Sequence, residues 1–149
     1  TERSRLEAEF SASLFPVMRT WRRGADRIAE PFGISSALAW PLLIIGRSGG
    51  GIWQVAVADK LGIEGPSLVR LLDQLCATGF VVRGADPNDR RAKTLRLTET
   101  GQDLASQMED ALADFRRQSL GAVSDADLQA CMRVFAAIDV ALGPGQQEA

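Results

Sequence analysis

Apolar residues recur every three or four positions at the start of the chain. Leu6, Phe10, Leu14, Val17, Trp21, Ala25 and Ile28 draw one stripe along a helix over about residues 5–30. Pro16 interrupts that stripe and predicts a kink or the first turn of the helix's main part, and Pro31 ends it. A second helix, about residues 36–46, follows an N-cap at Ser35. It is apolar nearly all round, so it is expected to be buried, and Pro41 predicts a bend in it. The glycine-rich stretch 46–51 reads as a flexible loop. Two short helices come next, about 54–61 and 64–78, stopped by Gly62 and Gly79. Pro66 falls in the first turn of the second, where a missing N–H costs nothing. Leu68, Leu71, Leu72 and Leu75 form its core stripe, while Ser67, Arg70 and Gln74 share the opposite face.

The period then changes from helical to alternating. Residues 80–83 read as a strand and 94–98 as its partner, with turn residues at 84–89 between them. Thr98 caps a long helix over 99–120, whose stripe is Leu104, Met108, Ala111, Leu112 and Phe115. Ser124 opens a last helix in a capping-box-like start, with Leu128, Cys131, Phe135, Ile138 and Leu142 on one face. The tail 143–149 is expected to fray. The fold class is therefore mainly α (α+β), a β-hairpin directly after a helix-turn-helix.

Charge changes the picture locally. The whole chain carries a net −2, which argues weakly against a nucleic-acid partner. Residues 59–96, however, hold seven basic and five acidic side chains, whereas 97–149 hold three and nine. Arg83, Arg90, Arg91, Lys93 and Arg96 gather on the hairpin against Asp86 and Asp89. A small hairpin cannot bury five cations, so they face solvent or a polyanion. Beside them, a short helix, a tight turn and a second amphipathic helix is the arrangement that offers one helix to the major groove. Alone, that pair of helices reads equally as part of an all-α core; the neighbouring basic hairpin favours DNA.

The residues from Ile63 to Leu75, Ile-Glu-Gly-Pro-Ser-Leu-Val-Arg-Leu-Leu-Asp-Gln-Leu, resemble the recognition helix of MarR-type regulators, especially the SlyA-like branch. Asp89-Arg90-Arg91-Ala92-Lys93, followed by Leu97-Thr98-Glu99-Thr100-Gly101, resembles that family's wing and wing-to-helix junction. Thr20-Trp21-Arg22 and Trp40 also fit the branch. The resemblance implies a single domain over 1–149, a winged helix-turn-helix lobe over 52–98, and flanking dimerisation helices at 1–30 and 99–142. It implies a homodimer straddling a pseudopalindrome on double-stranded DNA. By matching, Pro66, Ser67, Arg70 and Gln74 belong to the groove-reading helix, and Arg83, Asp89, Arg90, Arg91 and Lys93 to the wing. Arg91 matches the arginine that enters the minor groove, and Asp89 the acid that holds the wing's arginines. Many relatives bind small aromatic acids, and Trp21 and Trp40 read either as walls of such an effector pocket or as core aromatics. Arg19, Arg22 and Arg23 read either as partners for its carboxylate or as solvent-facing. Gly65 departs from the branch, which has a bulkier polar residue there.

Composition narrows the chemistry. The chain has no histidine, which excludes a histidine base, zinc ligand or pH switch. No phosphate-cradling motif, metal-ligand spacing or nucleophile–base pair is present, so neither an enzyme nor a bound cofactor or metal is expected. Cys76 and Cys131 fall on helical stripes and read as buried, unpaired thiols. No apolar run approaches a membrane span and no signal-peptide pattern opens the chain, so a cytoplasmic protein without a membrane partner is expected. A winged helix used only for protein contacts remains the alternative.

Overall fold

The computed structural model describes residues 1–143. The chain forms two compact units, one running from Thr1 to Ala113 and the other from Asp114 onward. The expectation of a frayed tail falls, past Gly143, outside the described residues.

In the first unit α1 runs Glu2–Asp26, opened by Thr1, whose hydroxyl accepts the Ser4 N–H at 3.2 Å. Pro16 lies inside this helix. The helix does not reach residue 30 in α form. It tightens into a 3₁₀ helix over Arg27–Phe32 that carries Pro31 and ends at Gly33. Of the expected stripe on α1 only Ala25 is buried, and Leu6, Phe10, Leu14, Val17 and Trp21 are all exposed. Helix α2, Ser36–Arg47, follows Ser35, whose backbone carbonyl accepts the Ala39 N–H at 2.9 Å while its hydroxyl makes no capping bond. As its composition predicts, α2 is central: Ala39, Pro41, Leu42, Leu43 and Ile45 are buried.

A two-residue strand, β1 (Ile52–Trp53), leads straight into α3 (Gln54–Leu61). Gly62, at φ 66°, turns the chain into α4 (Gly65–Ala77). An L side chain rarely adopts that angle, which is why the turn between the two helices is a glycine. Leu68, Leu72 and Leu75 of α4 are fully buried and pack toward α2, joined by Val57 of α3.

The hairpin is displaced slightly from its expected positions. Strand β2 is Val81–Ala85 and β3 is Lys93–Leu97, paired antiparallel with Val81 opposite Leu97 and Ala85 opposite Lys93. Phe80 stays out of the ladder because its N–H closes the end of α4 on the Leu75 carbonyl at 3.1 Å. Thr98 still donates its N–H to the Phe80 carbonyl at 3.0 Å, while its hydroxyl oxygen accepts the Gly101 N–H at 3.1 Å and so caps the next helix. β3 also pairs with β1, giving the order β1-β3-β2. Sequence periodicity does not reveal β1, since two residues are too few to alternate.

Helix α5 spans Glu99–Leu120, with Gly101, Ala105, Met108 and Leu112 buried. Gly101 sits so close to the hairpin base that a Cβ there would lie 2.1 Å from the Phe80 carbonyl oxygen. In the second unit α6, Asp125–Leu142, starts at Ser124, whose hydroxyl accepts the Asp127 N–H at 3.1 Å. No residue of α6 is buried. Cys131, expected to be buried, is therefore exposed, and Cys76 is half-buried. Phe135 is 47% exposed in the single chain, because so small a unit cannot cover both faces of its helix.

Candidate nucleic-acid interface

Helix α4 is held by its leucines, and this fixes what faces outward. With Leu68, Leu72 and Leu75 fully buried, Pro66, Ser67, Arg70 and Gln74 are all exposed. Ser67, Arg70 and Gln74 follow one another at intervals of three and four, so they line one edge of the helix. A short hydroxyl, a guanidinium and an amide in a row supply donors and acceptors that match base edges. At Gly65 an added Cβ would meet nothing within 4 Å, so the missing side chain leaves open space at the start of the helix.

The hairpin ends in two successive turns, each led by an aspartate. The Asp86 carboxylate accepts the Asn88 N–H through Oδ1 at 2.8 Å, and the Asp86 carbonyl accepts the Asp89 N–H at 3.3 Å. The Asp89 carboxylate then accepts the Arg91 N–H at 2.9 Å, and the Asp89 carbonyl accepts the Ala92 N–H at 3.1 Å. Arg90 and Arg91 thereby occupy the two central positions of the second turn, where side chains project away from the strands. Asp89 thus acts on the wing through the backbone, orienting the peptide that carries Arg91. The Asp86 carboxyl is held below the ordinary carboxylate range, chiefly by the Asn88 N–H and next by the Trp53 indole, with the Asp89 N–H adding to both.

The basic side chains do not act as one patch. Arg70, Arg90, Arg91 and Lys93 are exposed and make no ion pair among the described residues. Arg83 is different. Its partner across the sheet is Leu95, which is fully buried, so Arg83 points to the same inner face. There it donates to Asp73 Oδ1 at 2.6 Å and to the Val69 carbonyl at 3.4 Å, and its side chain is only 29% exposed. Arg83 stays exposed as a residue, as expected of the hairpin cations, but its guanidinium turns to Asp73 and binds the hairpin base to α4. Trp53 and Asp86 escaped sequence reasoning as a pair. They are far apart in the chain, and only the β1–β3 pairing brings them together.

Trp21 and Trp40 both line a cleft of about 530 Å³, together with Met18, Arg22, Arg47 and Lys60. The Trp40 indole donates to Asp26 Oδ1 at 2.8 Å, and Arg22 donates to the same oxygen at 3.2 Å while its guanidinium lies 5.3 Å from the Trp40 ring centre. Two of the three cations are already paired, Arg22 with Asp26 and Arg47 with Glu109 at 2.5 Å, so the two indole faces and Lys60 are what the open cleft offers a flat anion. Arg22 is the arginine of its trio that reaches this cleft; Arg23 lines a separate hollow with Arg27 and Ser35. Among the described residues no group of acidic or cysteine side chains is placed to hold a metal, and no single helix is long and apolar enough to cross a membrane.

Comparison with known proteins bears on the same lobe. The MarR family model matches residues 32–92. A solved transcriptional regulator, PA3341, is 34% identical, with 89% of this chain and 97% of that one covered at a TM-score of 0.83. A mutant of MarR from E. coli, solved in complex with operator DNA, is 21% identical over 87% of this chain and 93% of its own, with a TM-score of 0.74. CouR from Rhodococcus jostii RHA1, solved with p-coumaroyl-CoA bound, is 19% identical over 91% and 93%, with a TM-score of 0.75.

Proposed function

This chain belongs to the MarR family of transcriptional regulators, and from that premise we propose that it is a homodimeric, sequence-specific DNA-binding regulator of the SlyA-like branch. The observation that carries the proposal is the pairing, on one lobe, of an exposed polar helix edge that carries Arg70 with a basic hairpin tip. The outer edge of α4 presents Ser67, Arg70 and Gln74, and the turn at the hairpin tip presents Arg90 and Arg91. The helix enters the major groove, with Pro66 starting it, and the tip follows the backbone into the flanking minor groove, whose narrowness favours arginine. Lys93 adds a phosphate contact. Arg83 and Asp89 serve the interface indirectly, the first by fixing the hairpin base to α4 and the second by shaping the turn. The lobe is 52–98, and residues 1–30 and 99–142 build the dimer. Two lobes related by a two-fold axis read a pseudopalindrome with half-sites about one helical turn, roughly 10 bp, apart. The protein acts in the cytoplasm as a repressor or antirepressor, without catalysis.

The cleft beside Trp21 and Trp40 is the effector site in this proposal. Its two indoles and Lys60, with Arg22 and Arg47 exchanging their carboxylates Asp26 and Glu109 for that of the ligand, fit a small aromatic acid. That the similarly folded CouR was solved with p-coumaroyl-CoA supports an aromatic acyl or acid ligand.

The deciding experiment is a salt-dependent titration on fragments of the protein's own genome, its own promoter among them. Affinity should fall steeply with salt, because phosphate contacts release counterions. Arg91→Ala should weaken binding by about 1–3 kcal/mol, broadly across sequences, and lower the salt slope by about one for each phosphate it no longer neutralises. Arg70→Ala should relax preference at one position of each half-site. Wild-type affinity and slope in both variants would rule out this docking. Binding with no salt dependence would favour a winged helix that contacts only protein.

A further inference from the structure

The tip of the hairpin is fastened from outside the hairpin. Trp53 ends β1 and is the residue from which α3 starts. Its indole Nε1–H donates to Asp86 Oδ2 at 2.7 Å. The other oxygen of the same carboxylate holds the Asn88 N–H, and the Asp86 main chain closes the tip at both its groups, donating to the Ala92 carbonyl at 3.0 Å and accepting from Asp89. One carboxylate therefore links the first helix of the helix-turn-helix to the double turn that carries Arg90 and Arg91. Burial does not explain the tryptophan, which is 51% exposed. Register explains its reach. Trp53 pairs with Thr94 and Thr94 with Gly84, so these three form one row across the outer face of the sheet. The middle of that row is a threonine and its far end has no side chain, which leaves the face low beside the indole.

We propose that Trp53 is a positioning residue for DNA binding: its indole N–H holds Asp86, and through Asp86 sets the direction in which the wing-tip arginines leave the lobe. This rests on the DNA-binding proposal above. A protruding two-stranded hairpin bends easily, and every degree of play at its base displaces the tip further. Arg83 braces the base against α4, and Trp53 braces the tip against α3. With both in place the arginines meet the DNA already oriented, and binding costs less in ordering them.

Trp53→Phe keeps the aromatic ring and removes only the donor. Its affinity for the operator should fall about three- to tenfold, the range expected of one side-chain hydrogen bond. Asp86→Asn should weaken binding about as much, because an amide cannot offer acceptors to both the indole and the Asn88 N–H. The Arg91→Ala background separates positioning from contact. If Trp53 acts through the tip, Trp53→Phe should cost little more once Arg91 is gone. An equal loss in both backgrounds would mean that the indole meets the DNA itself and would overturn the proposal, as would wild-type affinity in Trp53→Phe. Amide hydrogen exchange in the free protein supplies a reading independent of DNA. Asn88 and Arg91 should exchange faster in Trp53→Phe than in wild type, while Leu72 and Leu75 keep their rates. Unchanged exchange would remove the brace. Failure of the wild-type protein to bind any DNA, with exchange at the tip still accelerated in the variant, would instead refute the DNA-binding proposal and leave the brace standing.

Discussion

Asp86 does more than its place in a charged turn suggests. One oxygen of its carboxylate accepts from a backbone N–H and the other from an indole, and both bonds favour the ionised form, so the carboxyl is held below its ordinary value. The sign of the pH dependence follows. A carboxylate whose folded pKa is depressed contributes order that is fully present above its unfolded value, about 3.9, and is lost as pH falls through the lower folded value. The tip should therefore stay ordered through pH 5 and 4 and loosen only below the ordinary aspartate range. Exchange at the Asn88 amide, or Trp53 emission in a background lacking the other two tryptophans, would follow this. A transition centred at or above the ordinary aspartate value would contradict it. From sequence, Asp86 is visible as a turn residue and as a countercharge among arginines but not as the indole's acceptor, since its partner lies on the far side of two helices in the chain. The partner of Arg83 is hidden from sequence for a related reason. Composition counts it with the other hairpin cations, but which face a strand residue takes depends on register, and one position decides between solvent and Asp73.

At the level of elements, the helices are the most legible part of the chain. The expected 54–61 and 99–120 agree with α3 and α5 at both ends, because Gly62 and Thr98 are strong local stop and start signals. The end of the first helix is less legible, since Pro31 permits a 3₁₀ continuation that apolar spacing does not distinguish from α. Strand β1 leaves no periodic trace, and its position is set by pairing with β3, a contact distant in sequence. The junction between hairpin and α5 depends on Gly101, which the motif places correctly but whose role only the packing explains. Gly101→Ala would press a methyl group against the Phe80 carbonyl, and neither backbone can retreat without breaking the Thr98 cap. Thermal unfolding should show a loss of about 1–3 kcal/mol, the usual cost of overpacking. Gly65→Ala is the control: it meets open space and lies in the first turn of α4, so its melting temperature should stay at or above that of wild type.

At the scale of the molecule, each unit leaves an apolar stripe uncovered. Phe10, Leu14 and Val17, at helical spacing, are exposed on α1, and Phe135 and Leu142 on α6. Exposed apolar residues that share a helix face suit an association surface, and on the homodimer proposal a second copy covers each. Light scattering at micromolar concentration should give twice the chain mass, and Phe135→Glu should shift the protein toward monomer. A wild-type monomer would contradict the assembly. An aromatic carboxylate bound in the Trp21–Trp40 cleft should quench tryptophan emission and weaken operator binding. Linkage requires that bound DNA weaken the carboxylate by the same factor. Quenching without any change in DNA affinity would leave a pocket with no regulatory role.

The order of strands has a further consequence. Because β3 lies between β1 and β2, the chain enters the reading module at Ile52 and leaves it at Leu95 as direct neighbours across a ladder, about 5 Å apart. Residues 54–93 therefore form a closed excursion that starts and finishes at one seam. Such a segment is exchangeable. On the DNA-binding proposal, a cassette from another member, trimmed to the same two ends and keeping leucines at 68, 72 and 75 to meet α2, would carry a different operator preference onto this scaffold. Besides that seam, such a cassette must keep what residues 80–84 present to 94–101, and because Lys60 belongs both to the cassette and to the Trp21–Trp40 cleft, exchanging the one alters the other.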